Sequence, residues 1–333
     1  MRAWELQNAA GFENLKLVTR DVPKAGPGEI VVRLKAASLN YRDLATVAYM
    51  GGKVPFVPLS CGAGEVTEVG AGVTRFKAGD RVLSPFFPHW VSGAPTPERL
   101  AALGGPYDGC AADYLKVAAE GVSHSPKNLS DEEASTLPCA GLTAWRGLMI
   151  EGGLKAGDTV LVQGTGGVSI FALQFAKAAG ARVIVTSSSD EKLERARALG
   201  ADMFINYKKT PDWAGEARKL TGGRGVDHVV EVGGADTFPQ SIMAIRLGGH
   251  IAVIGLLSGM TKDLNVAAIF SQNAKISGVT VGSREMVEDM VRAIEQNDIH
   301  PVIDKRFALE EFPEALKLMQ GASHFGKIVL NIA

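Results

Sequence analysis

Three glycines that follow an apolar run form the motif of this sequence with the most evident chemical role. The run is Val160-Leu-Val-Gln, and the glycines come directly after it, before a second apolar stretch that predicts a helix. Because glycine has no side chain, such a turn lets the backbone approach a pyrophosphate, and the N-terminus of the next helix donates N–H groups to it. Ser169 stands where a third glycine commonly allows close packing of helix on strand, and serine is also small. The sequence predicts a dinucleotide site that includes Gly164, Thr165, Gly166, Gly167 and Val168, and the alternative is a tight turn without a ligand.

The end of the next predicted strand, Val183-Ile-Val-Thr, indicates which dinucleotide is bound. NAD-binding folds place Asp or Glu here to bind the ribose 2′-hydroxyl, but this chain has three serines, 187–189. Hydroxyl groups can donate to a 2′-phosphate, and Lys192, one turn into the next helix, can neutralise it. Asp190 favours NAD mildly, although we expect it to cap the helix over 191–199. We therefore expect NADP, bound as NADPH, with contacts from Ser187, Ser188, Lys192 and Tyr207, and the alternative for Lys192 is an ordinary solvated helix residue.

These residues need a scaffold of alternating strands and helices. Up to about residue 100, alternating apolar residues and turn signals such as Gly26-Pro-Gly predict a mostly antiparallel β region. From about Ser130, which with Glu133 forms a capping box, apolar strands alternate with helical patterns, so we expect a parallel sheet covered on both faces. The predicted strands are 159–162, 182–185, 203–205, 226–231, 250–254 and 327–332, and the predicted helices are 170–179, 190–199, 286–295 and 309–319.

Length and composition exclude several classes of function. A chain of 333 residues is long enough for two domains. The net charge is -1 and no basic run occurs, so we expect no nucleic-acid partner and no anionic membrane surface. No window approaches the roughly 18 apolar residues of a membrane span. The three widely separated cysteines fit a reducing compartment, so we expect a cytoplasmic protein.

The order of these parts, with several phrases along the whole chain, resembles the medium-chain dehydrogenase/reductase superfamily. The phrases include Pro23-Lys-Ala-Gly-Pro-Gly-Glu, Ala63-Gly-Glu-Val-Thr-Glu-Val-Gly, Phe76-Lys-Ala-Gly-Asp-Arg-Val, Gly141-Leu-Thr-Ala-Trp and Gly326-Lys-Ile-Val-Leu. The resemblance implies an α/β protein, with a GroES-like β-rich catalytic domain (1–128 and 275–333) and a doubly wound Rossmann NADP-binding domain (129–274). It also implies further cofactor contacts, toward ribose and nicotinamide, from Thr143, Gly233, Ile254, Gly255 and Leu256.

Zinc separates the branches of this superfamily. The alcohol dehydrogenase branch carries a catalytic Cys, a Gly-His-Glu phrase and a second Cys, because zinc is held by thiolate and imidazole ligands. The matching positions here are Asn40, then Ser60-Cys61, then Cys139, and only Cys139 matches a ligand. The segment that holds a structural zinc in that branch corresponds to 85–109, which contains no cysteine. We expect no metal of either kind.

The phrase Asn40-Tyr-Arg-Asp resembles the zinc-free quinone oxidoreductase branch. A site without a metal has no Lewis acid to polarise a simple ketone or alcohol oxygen. It can hold an acceptor that already takes hydride, so we expect NADPH-dependent reduction of a quinone or an α,β-unsaturated carbonyl. Asn40 and Tyr41 are the expected catalytic residues, with Tyr41 as proton or hydrogen-bond donor, and the alternative for Tyr41 is an ordinary structural tyrosine.

A proline-rich insertion, 84–98, bears on the substrate. Its aromatic residues Phe86, Phe87 and Trp90 either form a pocket wall for an apolar, aromatic carbonyl substrate or a satellite core under a long loop. We expect Cys61 and Cys139 to lie close to the same substrate. His89 is a possible proton carrier, although a lone loop histidine is more often neither ligand nor catalyst.

The sequence also predicts a mode of assembly, and it leaves two other functions open. The stretch 275–282 predicts an edge strand, and in this superfamily such a strand commonly pairs with its copy, so we expect a homodimer. Two other functions stay open: an alcohol dehydrogenase or carbonyl reductase that holds zinc with unusual ligands, and a non-catalytic NADPH-binding protein.

Overall fold

The computed structural model describes residues 1–52, 54–261 and 263–332. In chain order, the strands are β1 (Arg2–Leu6), β2 (Leu15–Thr19), β3 (Glu29–Ser38), β4 (Cys61–Val69), β5 (Arg81–Leu83), β6 (Ala102–Leu103), β7 (Pro106–Tyr107), β8 (Tyr114–Ala118), β9 (Ser123–His124), β10 (Thr159–Gln163), β11 (Arg182–Ser187), β12 (Met203–Asn206), β13 (Val226–Glu231), β14 (Ile245–Val253), β15 (Lys275–Gly278), β16 (Ile303–Ala308) and β17 (Lys327–Asn331).

Helices connect most of the later strands. They are α1 (Tyr41–Ala45), α2 (Asp131–Ser135), α3 (Leu142–Trp145), α4 (Gly167–Ala178), α5 (Asp190–Ala198), α6 (Trp213–Leu220), α7 (Phe238–Ala244), α8 (Val266–Gln272), α9 (Arg284–Asn297) and α10 (Phe312–Gln320). Wider π-helical turns extend three of these segments, at Thr46–Met50, Leu137–Gly141 and Arg146–Glu151. Shorter 3₁₀ turns lie at Phe12–Asn14, Pro97–Leu100, Ala119–Gly121 and Leu309–Glu311.

The chain forms two compact units, residues 143–280 and residues 1–142 with the chain from 281 onward. These limits differ from the expected 128/129 and 274/275 boundaries for two reasons. The segment after residue 128 belongs to the first unit because α2 packs on its strands, and Ser38 Oγ donates to the Ser135 carbonyl at 2.9 Å. The strand β15 belongs to the second unit because it pairs with β14 in parallel register.

The second unit is a doubly wound parallel sheet, as expected. Its strand order is β12-β11-β10-β13-β14-β15, and every neighbouring pair is parallel. The order reverses between β10 and β13, which makes the crevice beyond their carboxyl ends the usual ligand site of such sheets. The core of this unit packs Leu161, Ile184 and Val229 with Trp213 and Ala217 of α6, a helix that the sequence patterns did not predict.

The first unit is built on a mainly antiparallel sheet. Its order is β16-β17-β3-β4-β5-β9, and β8 pairs with the first half of β3. The last strand, β17, lies inside this sheet, parallel to β16 and antiparallel to the end of β3. That pairing brings Lys327 next to the residues that follow β3. Within the described residues, no helix combines the length and apolar character needed to cross a bilayer.

Candidate active site

The glycine turn of the second unit follows β10 at the reversal of strand order. Gly164 has a φ of +69°, a conformation that residues with a side chain rarely adopt. A Cβ at Gly164 or Gly166 would have no protein atom within 4 Å, so the space above the turn is open. Ser169 is buried in α4, and its Oγ donates to the Gln163 carbonyl at 2.7 Å. The serine therefore joins the helix to the strand by a hydrogen bond, whereas a third glycine would only allow close packing. The open turn fits a dinucleotide pyrophosphate.

The three serines at the end of β11 differ in their contacts and burial. Ser189 caps α5, because its side chain accepts from the Lys192 N–H, and this corrects our expectation that Asp190 is the cap. The hydroxyl of Ser187 is buried and accepts from the Ser189 N–H at 3.2 Å, while Ser188 is half-buried. Lys192 is half-buried in the first turn of α5.

Asp190, the one carboxylate near this strand end that argues for NAD, is engaged with other groups. It accepts from Lys209 Nζ at 2.5 Å and from Asn206 Nδ2 at 2.7 Å. These contacts hold the pKa of its carboxyl below the ordinary value, with the Lys209 hydrogen bond as the larger cause. The side chain of Tyr207 is exposed, and the backbone N–H of Tyr207 donates to the Ser187 carbonyl.

The loop after β13 is held by a buried carboxylate, Glu231, which was not among the predicted site residues. Glu231 Oε1 accepts from the N–H groups of Gly233 and Gly234 at 2.8 and 2.9 Å and from Thr237 Oγ1 at 2.6 Å. Its Oε2 accepts from Gln163 Nε2 at 2.7 Å and from Ser241 Oγ. A glutamate that ends the otherwise apolar half-strand Val229-Val-Glu was the available signal.

The remaining expected cofactor positions lie in the same unit. Gly233 belongs to the loop that Glu231 holds, and the segment 254–256 follows β14. A Cβ at Gly255 would lie 2.1 Å from the Val232 carbonyl oxygen, so only glycine fits where these two loops approach. Ile254 and Gly255 are half-buried and Leu256 is exposed, whereas Thr143 is buried in α3.

The first unit holds a buried polar cluster around Asn40, between β3 and α1. The Asn40 N–H and Nδ2 both donate to Asp43 Oδ2, at 2.9 and 3.1 Å. Lys327, the first residue of β17, donates from Nζ to Asn40 Oδ1 at 2.6 Å and also to the Leu39 carbonyl. The ammonium thereby fixes the amide so that Nδ2 faces Ser60 Oγ at 3.3 Å and Cys61 Sγ at 3.1 Å.

Two thiols belong to this cluster. Cys139 lies buried in the π-helical turn Leu137–Gly141. Burial acts to raise the pKa of Cys61, but the influence of the Cys139 thiol and the positive charge of Lys327 outweigh it and lower that pKa. The influence of Cys61, together with burial, raises the pKa of Cys139 well above its ordinary value. Burial lowers the pKa of Lys327, and the neighbouring sulfurs and Asp43 oppose that change.

The side chains of this cluster do not fit zinc. A protein zinc site takes thiolate, imidazole and carboxylate ligands in a four-coordinate arrangement. Here an amide and a hydroxyl stand at two of the matching positions, and the Lys327 ammonium, bonded to Asn40 Oδ1, would repel a metal cation. Across 1–52, 54–261 and 263–332, no three His, Cys, Asp or Glu side chains are placed to share a metal ion.

Tyr41, three aromatic residues of the 84–98 insertion and His89 are the other expected residues of the first unit. Tyr41 follows Asn40 as the first residue of α1, and its side chain is 51% exposed. Phe86, Phe87 and Trp90 are buried and pack against one another, with centroids 4.6 Å apart for the first two rings and 5.9 Å for the last two. His89 is exposed and packs edge-on against Tyr107. The three buried rings form one apolar cluster, and their contact with a substrate stays a prediction.

Comparison with known families matches both units. Residues 26–127 match the alcohol dehydrogenase GroES-like domain, and residues 167–296 match the zinc-binding dehydrogenase family. A zinc-type alcohol dehydrogenase-like protein of Schizosaccharomyces pombe is 50% identical, with 97% of this chain and 96% of the relative covered. A chloroplastic quinone-oxidoreductase of Triphysaria versicolor is 30% identical, with 96% and 95% covered.

Solved structures give the same result. A protein described as an NAD-dependent alcohol dehydrogenase superposes with a TM-score of 0.91 at 37% identity, over 100% of both chains. A mycobacterial protein in complex with NADPH superposes with a TM-score of 0.84 at 27% identity, also over 100% of both chains. The sequence relatives, the two domain matches and the shared fold agree, and the chain belongs to the alcohol dehydrogenase-like proteins of the medium-chain dehydrogenase/reductase superfamily.

Proposed function

We propose that this oxidoreductase is a cytoplasmic, NADPH-dependent reductase that transfers hydride to a quinone or an α,β-unsaturated carbonyl without a metal ion. The observation that carries the proposal is the buried cluster around Asn40, where Lys327 donates to the amide oxygen of the residue that stands in place of a zinc-binding cysteine. The oxygen of a simple ketone must be polarised for efficient hydride transfer, by a Lewis acid or by strong hydrogen-bond donors, whereas a conjugated acceptor delocalises the incoming charge itself. The cluster therefore supports an acceptor of the conjugated kind.

The reduction needs one hydride and one proton. When bound, NADPH supplies the hydride. In our proposal, Tyr41 supplies or relays the proton, because its side chain is exposed and can exchange protons with water. Asn40, held by Lys327 and Asp43, gives the acceptor site a fixed amide dipole that needs no reorganisation during the reaction.

Two observations support NADPH over NADH. The serines after β11 leave no carboxylate at the position where NAD-binding folds bind the 2′-hydroxyl, and Asp190 is bonded to Lys209 and Asn206. The mycobacterial structure with NADPH shares the fold, although the NAD-dependent alcohol dehydrogenase does too. The residues of this strand end therefore carry the cofactor proposal more than the relatives do.

One preparation tests the reaction. We would measure zinc per chain together with NADPH oxidation against a quinone, a conjugated enone and a simple aldehyde. We expect turnover of the first two acceptors without stoichiometric zinc, and Tyr41→Phe should lower kcat while leaving the KM for NADPH unchanged. About one zinc per chain with aldehyde turnover would establish the alcohol dehydrogenase alternative. NADPH binding without turnover of any acceptor would establish the non-catalytic alternative.

The same assay tests the cofactor contact. Lys192→Ala should raise the KM for NADPH by about tenfold, since a charge-assisted hydrogen bond to phosphate contributes about 1.5 kcal/mol. The KM for NADH should change little, because NADH has no 2′-phosphate. Lys219→Ala, on the exposed face of α6, is the matched control and should change neither value. Equal losses for both cofactors would remove Lys192 from the 2′-phosphate site.

We also propose a homodimer formed through the second unit. β15 lies at the end of the strand order, and apolar side chains of the segment that leads into it are strongly exposed: Met260 is 79%, Val266 66% and Phe270 83% exposed. A two-fold axis would pair the edge with its copy and cover these side chains. Light scattering should give twice the 35.1 kDa chain mass, and Phe270→Asp should lower it. A wild-type mass of 35.1 kDa at all concentrations would exclude the dimer.

A further inference from the structure

The turn after β12, residues 206–210, is fixed against the carboxyl end of β11. The backbone N–H of Tyr207 donates to the carbonyl of Ser187, the last residue of β11, at 3.1 Å. Within the turn, the Asn206 carbonyl accepts from the Lys209 N–H at 3.0 Å. These backbone bonds hold the turn beside the strand end where we expect the 2′-phosphate of the cofactor.

The side chains of this turn engage both carboxylate oxygens of Asp190, in the first turn of α5. Lys209 Nζ donates to Oδ2 at 2.5 Å, and Asn206 Nδ2 donates to Oδ1 at 2.7 Å. The Lys209 hydrogen bond, followed by that of Asn206, lowers the pKa of the carboxyl below its ordinary value, so the group is ionised at neutral pH. The Lys209 ammonium is therefore a counter-charge for a permanent carboxylate.

A carboxylate at this position conflicts with a 2′-phosphate. Asp190 lies two positions from Ser188 and two from Lys192, which are expected phosphate contacts on either side of it. Because neighbouring Cα atoms are about 3.8 Å apart, the carboxylate lies within about 10 Å of a phosphate held by these residues. That distance is close to the Debye length in physiological salt, so an unneutralised carboxylate would repel the phosphate dianion.

The helix explains why a carboxylate stands here. Ser189 is the N-cap of α5, since its side chain accepts from the Lys192 N–H, so Asp190 is not needed for capping. A negative side chain in the first turn still stabilises a helix through the positive end of the helix dipole. Asp190 therefore favours the helix and opposes the phosphate, and a cation beside it removes the second effect.

We propose that Lys209 is a specificity-determining residue, which admits a 2′-phosphate by neutralising Asp190 and not by binding the phosphate itself. This inference rests on the proposed use of NADPH. Asn206 positions the carboxylate for the ion pair, and the phosphate contacts remain those proposed above. Without the Lys209 charge, the strand end should discriminate less between NADPH and NADH.

Adenosine 2′,5′-bisphosphate and adenosine 5′-monophosphate test this without turnover, because they differ only in the 2′-phosphate. Isothermal titration calorimetry measures both dissociation constants. At low ionic strength, Lys209→Met should weaken binding of the bisphosphate about fourfold, the effect of one charge about 10 Å from a dianion in water. Binding of the monophosphate should not change, and the loss for the bisphosphate should fall below about twofold in high salt.

A double variant separates neutralisation from direct binding. Asp190→Asn with Lys209→Met restores the local charge balance, so its bisphosphate dissociation constant should return to within about twofold of the wild type. The two side chains are 59% and 69% exposed, so we expect these variants to fold.

Lys177→Met is the matched control, because it changes the net charge by the same amount. Lys177 pairs with Asp202 at 2.9 Å in the same unit. This pair lies at the opposite edge of the sheet, since Lys177 is in the last turn of α4 and Asp202 directly precedes β12. The control should change neither dissociation constant.

Three results would overturn the proposal. An unchanged bisphosphate constant in Lys209→Met would show that Lys209 has no part in specificity. A loss that persists in the double variant would make Lys209 a direct phosphate ligand. Equal wild-type affinity for the two probes would also remove the proposed NADPH preference, whereas the first two results leave that preference standing.

Discussion

Glu231→Ala should lower the free energy of unfolding by about 4 kcal/mol, the largest loss that we expect from one substitution. The carboxylate is fully buried at the end of β13 and accepts five hydrogen bonds from backbone and side chains. Its removal leaves the buried N–H group of Gly234 without its acceptor. The Gly233 N–H keeps only its longer bond to Gln163 Oε1, and the Gln163 amide keeps only Ser241 Oγ. A buried donor that lacks both a partner and water destabilises the fold.

The effect should extend to the cofactor. Hydrogen bonds to this carboxylate hold the loop 232–237, and Gly255 in the loop after β14 lies close to the Val232 carbonyl. Without Glu231, both of these loops at the carboxyl edge of the sheet therefore lose support. We expect a higher KM for NADPH in addition to the lower denaturation midpoint. Glu231→Gln should also be destabilising, because its amide nitrogen is itself a donor and would face donors where a carboxylate oxygen accepted their hydrogen bonds.

Urea unfolding followed by circular dichroism measures the change. Glu194→Ala in the same unit is the matched control, because its side chain is 66% exposed and pairs with Arg197 at the surface. We expect that variant to stay within about 0.5 kcal/mol of the wild type. A loss below about 1 kcal/mol for Glu231→Ala would contradict the buried network.

Lowering the pH from 7 to 4 should reduce the free energy of unfolding of the second unit by about 3 kcal/mol, through the titration of one histidine, His250. Burial, then the neighbouring His228, lowers the pKa of His250 to about 4, whereas an unfolded histidine titrates near 6.5. The unfolded chain therefore binds more protons in this range. This contribution is complete above pH 6.5, is lost as the pH falls toward 4 and changes little below that.

The surroundings explain why the ring stays neutral. Within the described residues, neither ring nitrogen of His250 has a hydrogen-bond partner, and the ring packs edge-on against His228 at 5.7 Å. Asp158 bonds His228 and not His250. Burial also lowers the pKa of His228, so this second histidine adds a smaller loss of the same sign.

His250→Phe keeps an aromatic ring against His228 and removes the titration. The slope of unfolding free energy between pH 7 and 4 should fall by half or more, measured by urea unfolding at several pH values. His300→Gln is the control, since His300 is half exposed and its hydrogen bond to Glu133 raises its pKa. An unchanged slope in His250→Phe would show that carboxylates govern this range.

Local patterns predicted the scaffold well where burial is regular. The strand over 226–231 matches β13, and 159–162 lies within β10, because fully buried parallel strands are continuous apolar runs. Helices α6, α7 and α8 went unpredicted, since each has only seven or eight residues, too few for a clear helical period. The capping box at Ser130 and Glu133 was confirmed.

The candidate site was predictable only in part. The glycine turn is a local signal, so its position between a buried strand and a helix could be inferred from sequence. Lys327 could not, because it meets Asn40 across 287 residues through the pairing of β17 with β3. The same limit applies to Glu231, whose donors come from three separate segments of the second unit. Residues that meet only through strand pairing or packing have no fixed spacing in the sequence, so sequence patterns do not reveal their contact.

The position of β17 inside the first sheet also sets an order of events during synthesis. Residues 143–280 are contiguous and can fold once they have left the ribosome. The first unit begins earlier but must wait, because β3 and β16 have no strand between them until residue 331 emerges. During that interval the end of β3 lacks its β17 partner, and the Asn40 amide oxygen lacks Lys327. The half of the protein that is translated first is therefore completed last.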